Sequence, residues 1–172
     1  MTCTLYIVRH GIAALPVADT PDSERSLTAE GTRKMMRAAI GLKRLGIVPD
    51  VVLSSPLRRA QETAALLAST LSPQLAVEVY EPLAPGTAPA DLMRGLRPYR
   101  AAAHLVLVGH QPDLGELASH LLTGSASLAP LPFKKGAVAA IEVASLPPRA
   151  VGLLRWFLTP KQLRTIGQVR GR

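Results

Sequence analysis

Short, continuously apolar runs, each followed by a stretch with helical spacing, constrain this chain more than any other feature. TLYIV (4–8) is continuously apolar, as a strand covered on both faces would be, and VVL (51–53), AVEVY (76–80) and HLVLV (104–108) read as the next three strands. Between them the period changes to 3.6. After a loop rich in Pro, Asp, Thr and Ser (16–26), Thr28 opens a helix to about Leu45, with Leu27, Met35, Ala38, Ala39, Leu42 and Leu45 as its buried stripe and Gly46 as its stop. Ser54-Ser55-Pro56 supplies a serine cap and a first-turn proline for a helix to about Thr70. Residues 89–97 form a short helix, and Pro112 to Leu122 another. Residues 138–144 and 151–158 close the pattern as a strand pair around SLPPR, including an antiparallel edge. Strands alternating with helices imply a three-layer αβα sandwich around a mostly parallel sheet.

At 172 residues the chain has the length of one domain, residues 1–172, with no internal repeat or low-complexity linker. The tail from Thr159 onward is expected to pack loosely. No apolar run approaches the roughly 18 residues of a membrane span, and Arg9 and His10 interrupt the first one before it could serve as a signal core. A cytoplasmic protein with no membrane partner is expected. The single cysteine, Cys3, has no disulfide partner and no companion at metal-ligand spacing, so it reads as core filler.

Charge narrows the partners. Lys and Arg number 20 against 12 acidic residues, a net +8, which suits an anionic partner. The excess is concentrated: eight basic and two acidic residues between Arg25 and Arg59, and six basic with no acidic residue from Arg149 to Arg172. Only 3% of the residues are aromatic, which leaves little from which to build base-stacking platforms. Nucleic acid is therefore disfavoured.

In open α/β sheets ligands bind beyond the carboxyl ends of the strands. Arg9, His10 and Gly11 stand directly after the first strand, and Gly109, His110 and Gln111 after the fourth. The helix after the second strand carries Arg58 and Arg59 in its first turn, where the helix dipole disfavours cations. A phosphate would compensate, since guanidinium groups and helix N-termini both bind it. Phosphoryl transfer depends mainly on positioning and charge stabilisation, and a neutral imidazole can take the group covalently. His10 is the candidate nucleophile, with Gly11 allowing close backbone approach to the phosphate. No metal ligand and no cofactor is called for. A lone histidine at a strand end is more often structural, but Arg9, Arg59 and His110 around His10 reverse that reading. His104, at the far end of the fourth strand, and His120, on a helix among Ala and Leu, have no such company.

TLYIVRHG, LSSPLRRAQETA and LVLVGHQPDLGELA resemble, in this order, the three signature segments of the histidine phosphatase superfamily, which has a phosphoglycerate mutase-like fold. SLTAEG (26–31), PFKKGAVAAIEV (132–143), LRWFLTPKQL (154–163) and the short length are similar to its SixA-type phosphohistidine phosphatases. The resemblance implies that His10 is transiently phosphorylated and that Arg9, Arg59 and His110 form the phosphate pocket. Arg59, directly before Ala60, matches the family's arginine, and Arg58 is left as surface charge. For the general acid the resemblance offers two positions, Glu81 after the third strand and Asp22 in the loop before the first helix. Arg25 matches an often basic family position and is a candidate substrate contact.

About two dozen residues separate the third and fourth strands, enough for one short helix but not for a helical lid. An open site is expected, suited to a phosphorylated protein such as a histidine phosphotransfer domain, with inorganic phosphate as product. The alternatives are a phosphomonoesterase for small phosphate esters, which needs a firm general acid, and a phosphate- or nucleic-acid-binding module without catalysis. A pure binder has no need of a nucleophile.

Overall fold

The computed structural model describes residues 2–168. Six strands form one sheet: β1 (Cys3–Arg9), β2 (Val51–Ser54), β3 (Val77–Val79), β4 (His104–Gly109), β5 (Val138–Val143) and β6 (Leu153–Leu158). Five helices flank it: α1 (Ala29–Arg44), α2 (Arg58–Leu71), α3 (Pro89–Gly95), α4 (Asp113–Thr123) and α5 (Pro160–Gln168). The strand order is β3-β2-β4-β1-β5-β6. The first four strands are parallel, β5 runs antiparallel to β1, and β6 pairs antiparallel with β5 at the edge.

Alternation along each central strand divides the core in two. Leu5 and Ile7 of β1 and Leu105 and Leu107 of β4 pack with Leu92 and Met93 of α3 and Leu114, Leu117 and Leu121 of α4. Tyr6, Val8, Val106 and Val108 face the other way, against Met35, Ala38, Ala39 and Leu42 of α1, Ala60, Ala64 and Leu67 of α2, and Leu163 of α5. Cys3 lies buried on the first of these faces, and burial pushes its thiol up to about 11, helped by the Asp50 charge.

Three local readings need correction. The helix after β2 begins at Arg58, capped by Leu57 without a side-chain bond, so Ser54 and Ser55 precede it instead of capping it. Leu45 is 45% exposed and leaves the α1 stripe, because the helix has ended and Gly46 turns the chain away at φ +75°. The tail does not pack loosely up to Gln168. It forms α5, which lies on α1 with Leu163 fully buried. A Cβ on Gly41 would meet the Leu163 carbonyl oxygen at 2.2 Å, and one on Gly167 would meet the Arg37 carbonyl oxygen at 2.3 Å. The helices thus touch backbone to backbone, and Arg44 adds a bond to the Ile166 carbonyl oxygen at 2.8 Å. Short apolar periodicity and a basic composition concealed this helix. Residues 169–172 lie outside the described part.

Candidate active site

Register places the site. β1 and β4 are parallel neighbours with Arg9 opposite Gly109, so the next residue on each, His10 and His110, emerge side by side. Their ring centroids are 5.0 Å apart, and the His10 N–H donates to the Gly109 carbonyl at 3.1 Å. Both imidazoles are nearly buried, at 6% and 4% exposure.

Hydrogen bonds fix what each ring presents. His10 Nδ1 lies 2.7 Å from the Gly11 carbonyl oxygen. A carbonyl only accepts, so Nδ1 carries the proton and Nε2 keeps its lone pair. Burial, together with the charges of His110, Arg59 and Arg9, holds His10 down at about 3 against the opposing bond to Gly11. Its ring is therefore neutral at physiological pH, as a nitrogen nucleophile must be. Burial first, then Arg59 and Arg9, hold His110 at about 4, with Asp22 opposing.

Ser55 selects the tautomer of His110. Its Oγ is 2.8 Å from His110 Nε2 and accepts from the Leu57 N–H at 3.3 Å. The serine is fully buried, so its hydroxyl proton needs an acceptor, and His110 Nε2 is the acceptor in range among the described residues. With Nε2 accepting, the proton of His110 sits on Nδ1, which is buried and has no partner among the described residues. The two rings are thus the same tautomer in opposite orientations: His10 offers a lone pair and His110 an N–H. Reading Ser54-Ser55-Pro56 as a helix cap hid this role. The signal was a polar pair at the end of an otherwise buried strand.

Arg9 donates through Nη1 to the Phe133 carbonyl oxygen at 2.6 Å, while its Nε is buried without a partner. Arg59 is 6% exposed. It donates to the backbone oxygen of Asp22 at 2.7 Å and to Asp22 Oδ2 at 2.9 Å. Thr63, also missed in the sequence, ties these parts together: its Oγ1 donates to the Arg59 carbonyl at 2.7 Å and accepts from the Gly11 N–H at 3.0 Å. Arg58 points outward and pairs with Glu62 at 3.0 Å.

Gly11 has a packing reason in place of the expected close approach to phosphate. Its N–H is committed to Thr63, and a Cβ there would meet Met35 Cγ at 2.7 Å. Arg25 donates to the Ala14 carbonyl at 2.8 Å and to Asp22 Oδ1 at 2.6 Å, so it reaches the site through Asp22. The Arg25 and Arg59 guanidiniums beside Asp22 hold that carboxyl below its ordinary value. A carboxylate held this way is a poor proton donor. Glu81 is exposed in a single helical turn after β3, and no hydrogen bond or ion pair joins it to the residues around His10.

The connection between β3 and β4 holds α3 and two single helical turns, with no helical lid. The 12–26 loop nevertheless reaches Arg59 through Asp22, and His10, Arg59 and His110 are nearly buried.

The comparisons agree with this arrangement. Residues 5–84 match the model of the histidine phosphatase superfamily, branch 1. An uncharacterised protein of Picosynechococcus is 42% identical over 123 residues, 70% of this chain and 73% of its own length. The phosphohistidine phosphatase SixA of Escherichia coli is 29% identical over 164 residues, covering 93% and 96%. A structure of the protein histidine phosphatase SixA complexed with tungstate superposes with a TM-score of 0.82 at 28% identity, covering 93% of this chain and 99% of that one. A phosphoglycerate mutase of Bacillus anthracis shares the fold at a TM-score of 0.67 and 16% identity, over 98% and 97%. The chain belongs to the histidine phosphatase superfamily, and within it to the SixA type.

Proposed function

We propose that this protein is a phosphatase that removes phosphoryl groups from protein phosphohistidine through a phosphohistidine intermediate on His10. One observation carries the reading: two buried donors without protein partners, Arg9 Nε and His110 Nδ1, flank an imidazole whose Nε2 lone pair is free. Buried donors are normally satisfied, and the three equatorial oxygens of a transferring phosphoryl group are acceptors for all of them.

In the first step His10 Nε2 attacks phosphorus, and the bond from phosphorus to the substrate nitrogen breaks, its electron pair staying on the departing imidazole, which takes a proton from solvent water. Arg9, Arg59 and His110 Nδ1–H hold the oxygens, and the Gly11 carbonyl stabilises the charge on the His10 ring through Nδ1–H. Water then attacks the phosphohistidine, releasing inorganic phosphate and restoring neutral His10. The similarity to the phosphohistidine phosphatase SixA of Escherichia coli and to the protein histidine phosphatase SixA supports the same substrate class.

Acid chemistry distinguishes the substrates. An alkoxide needs a strong proton donor, and Asp22 is held ionised by two arginines while Glu81 is joined to nothing around His10. An imidazole leaving group needs less help, which favours phosphohistidine over small phosphate esters.

The test follows phosphate release from a phosphohistidine-bearing protein and from p-nitrophenyl phosphate, with no added metal, together with acid-labile label trapped on the enzyme by rapid quench. The wild type is expected to carry label transiently and to turn over the phosphoprotein faster in kcat/KM. His10→Ala should lose both label and release, by on the order of 10³-fold or more. Release by His10→Ala at the wild-type rate would overturn the reading.

A further inference from the structure

A cleft of about 390 Å3 opens where α1, the start of α5 and the segment after Phe133 meet. Ile12, Met35 and Ala38 give it apolar walls, Lys34, Lys134, Lys135 and Arg164 supply its charge, and no carboxylate lines it. Glu30, one turn back on α1, pairs with Lys34 at 2.5 Å. Among the described residues no acidic side chain reaches salt-bridge distance of Lys134, Lys135 or Arg164. Glu30 offsets Lys34 and part of the Arg164 charge, which leaves Lys134 and Lys135 as the unbalanced charges of the concavity, a positive potential that an anionic partner relieves.

Position decides the kind of partner. Arg9 and Gly11 also line this cleft, and Lys134 directly follows Phe133, whose carbonyl holds the Arg9 guanidinium. The cleft therefore lies against the strand end that carries His10. Lys134 and Lys135 are exposed at the mouth of this cleft. A substrate that extends from His10 along the cleft meets both.

We propose that this basic cleft is the docking surface for an acidic face of the phosphoprotein substrate, with Lys134, Lys135 and Arg164 engaging carboxylates near the phosphorylated residue. The proposal rests on the phosphoprotein reading above. It assigns these three side chains to recognition and none of them to the chemical step. Charges of this kind act mainly on encounter, so their contribution falls with salt.

The experiment uses the full chain with Lys134→Glu/Lys135→Glu, the neutral Lys134→Gln/Lys135→Gln, and Arg164→Gln. Each is assayed on an acidic phosphotransfer domain phosphorylated on histidine and on p-nitrophenyl phosphate, between low and high salt. Charge reversal is expected to lower kcat/KM for the protein by about tenfold or more at low salt and to flatten its salt dependence. The small ester should stay within about twofold. Equal losses on both substrates, or an unchanged kcat/KM for the protein, would overturn the proposal. A second readout needs no turnover: binding of the phosphorylated domain to His10→Ala chains with and without the charge reversal. If the wild type fails to dephosphorylate the domain, the functional reading falls, yet weakened binding on charge reversal still upholds the docking surface and unchanged binding overturns it.

Discussion

Strand β4 has a histidine at its first residue and another just past its last, and their surroundings are opposites. At the start, the backbone N–H groups of Ala103 and His104 both donate to Asp50 Oδ2 at 2.8 Å, and His104 Nδ1 lies 3.3 Å from the Tyr6 hydroxyl. A carboxylate is at hand and the donors have acceptors. Past the end, His110 is surrounded by Arg9, Arg59 and His10, and its Nδ1 has no partner among the described residues. The strand is the same. What differs is the connection: the carboxyl end receives the Arg59 turn of α2 and the loop that brings Phe133, while the amino end receives a short return to β2.

The largest expected effect that sharpens this contrast is on acid stability. His10 and His110 titrate at about 3 and about 4 in the folded chain, below the roughly 6.5 of an unfolded histidine. The unfolded state therefore binds more protons between these values. The stability they confer is full above pH 6.5, falls as pH drops, and is gone below the folded values. Urea unfolding at pH 7.5 and pH 4.5 should show a loss on the order of 5 kcal/mol from this pair, and much less in His10→Asn/His110→Asn. An equal loss in that variant would break the contrast.

Next is the serine behind His110. Ser55→Ala removes the hydroxyl donor to Nε2 that pins the proton on Nδ1, and kcat should fall about tenfold, with Ser55→Thr restoring most of it. Nitrogen NMR provides a readout that simple loss of packing would not give. It should report Nδ1–H for His110 in the wild type and a tautomer mixture in Ser55→Ala. A protonated Nε2 on His110 in the wild type would refute the assignment.

The smallest effect is expected at the other end. His104→Gln should leave kcat/KM within about twofold and change stability by about 1 kcal/mol or less, since it loses one hydrogen bond at a partly exposed site. A large catalytic defect there would erase the distinction between the two ends.

The alternation of apolar runs and helical periods was enough to read the layers, the central parallel strands and the strand ends that carry His10 and His110. It was enough because sheet burial and helix amphipathicity are local signals. What stayed hidden depends on long-range geometry. Ser55 looks like a helix cap until Arg58 is seen to start the helix. Gly11 looks like a phosphate contact until Met35 and Thr63 are seen on either side of it. Asp22 was one of two candidate acids, and nothing in its neighbours along the chain reveals that Arg25 and Arg59 converge on it. Helix α5 was invisible because its partner surface lies more than 100 residues earlier.

That separation has a consequence for biosynthesis. The glycine-to-carbonyl joint between α1 and α5 closes only when Leu163 and Gly167 arrive, 119 and 123 residues after α1 ends at Arg44. At the roughly 5–20 residues per second of translation, α1 waits about 6–25 s for its cover. Through that interval the nascent chain carries the Met35 and Leu42 stripe without α5, and the wall of the basic cleft is unfinished. The molecule is built in an order that completes its partner-facing surface last.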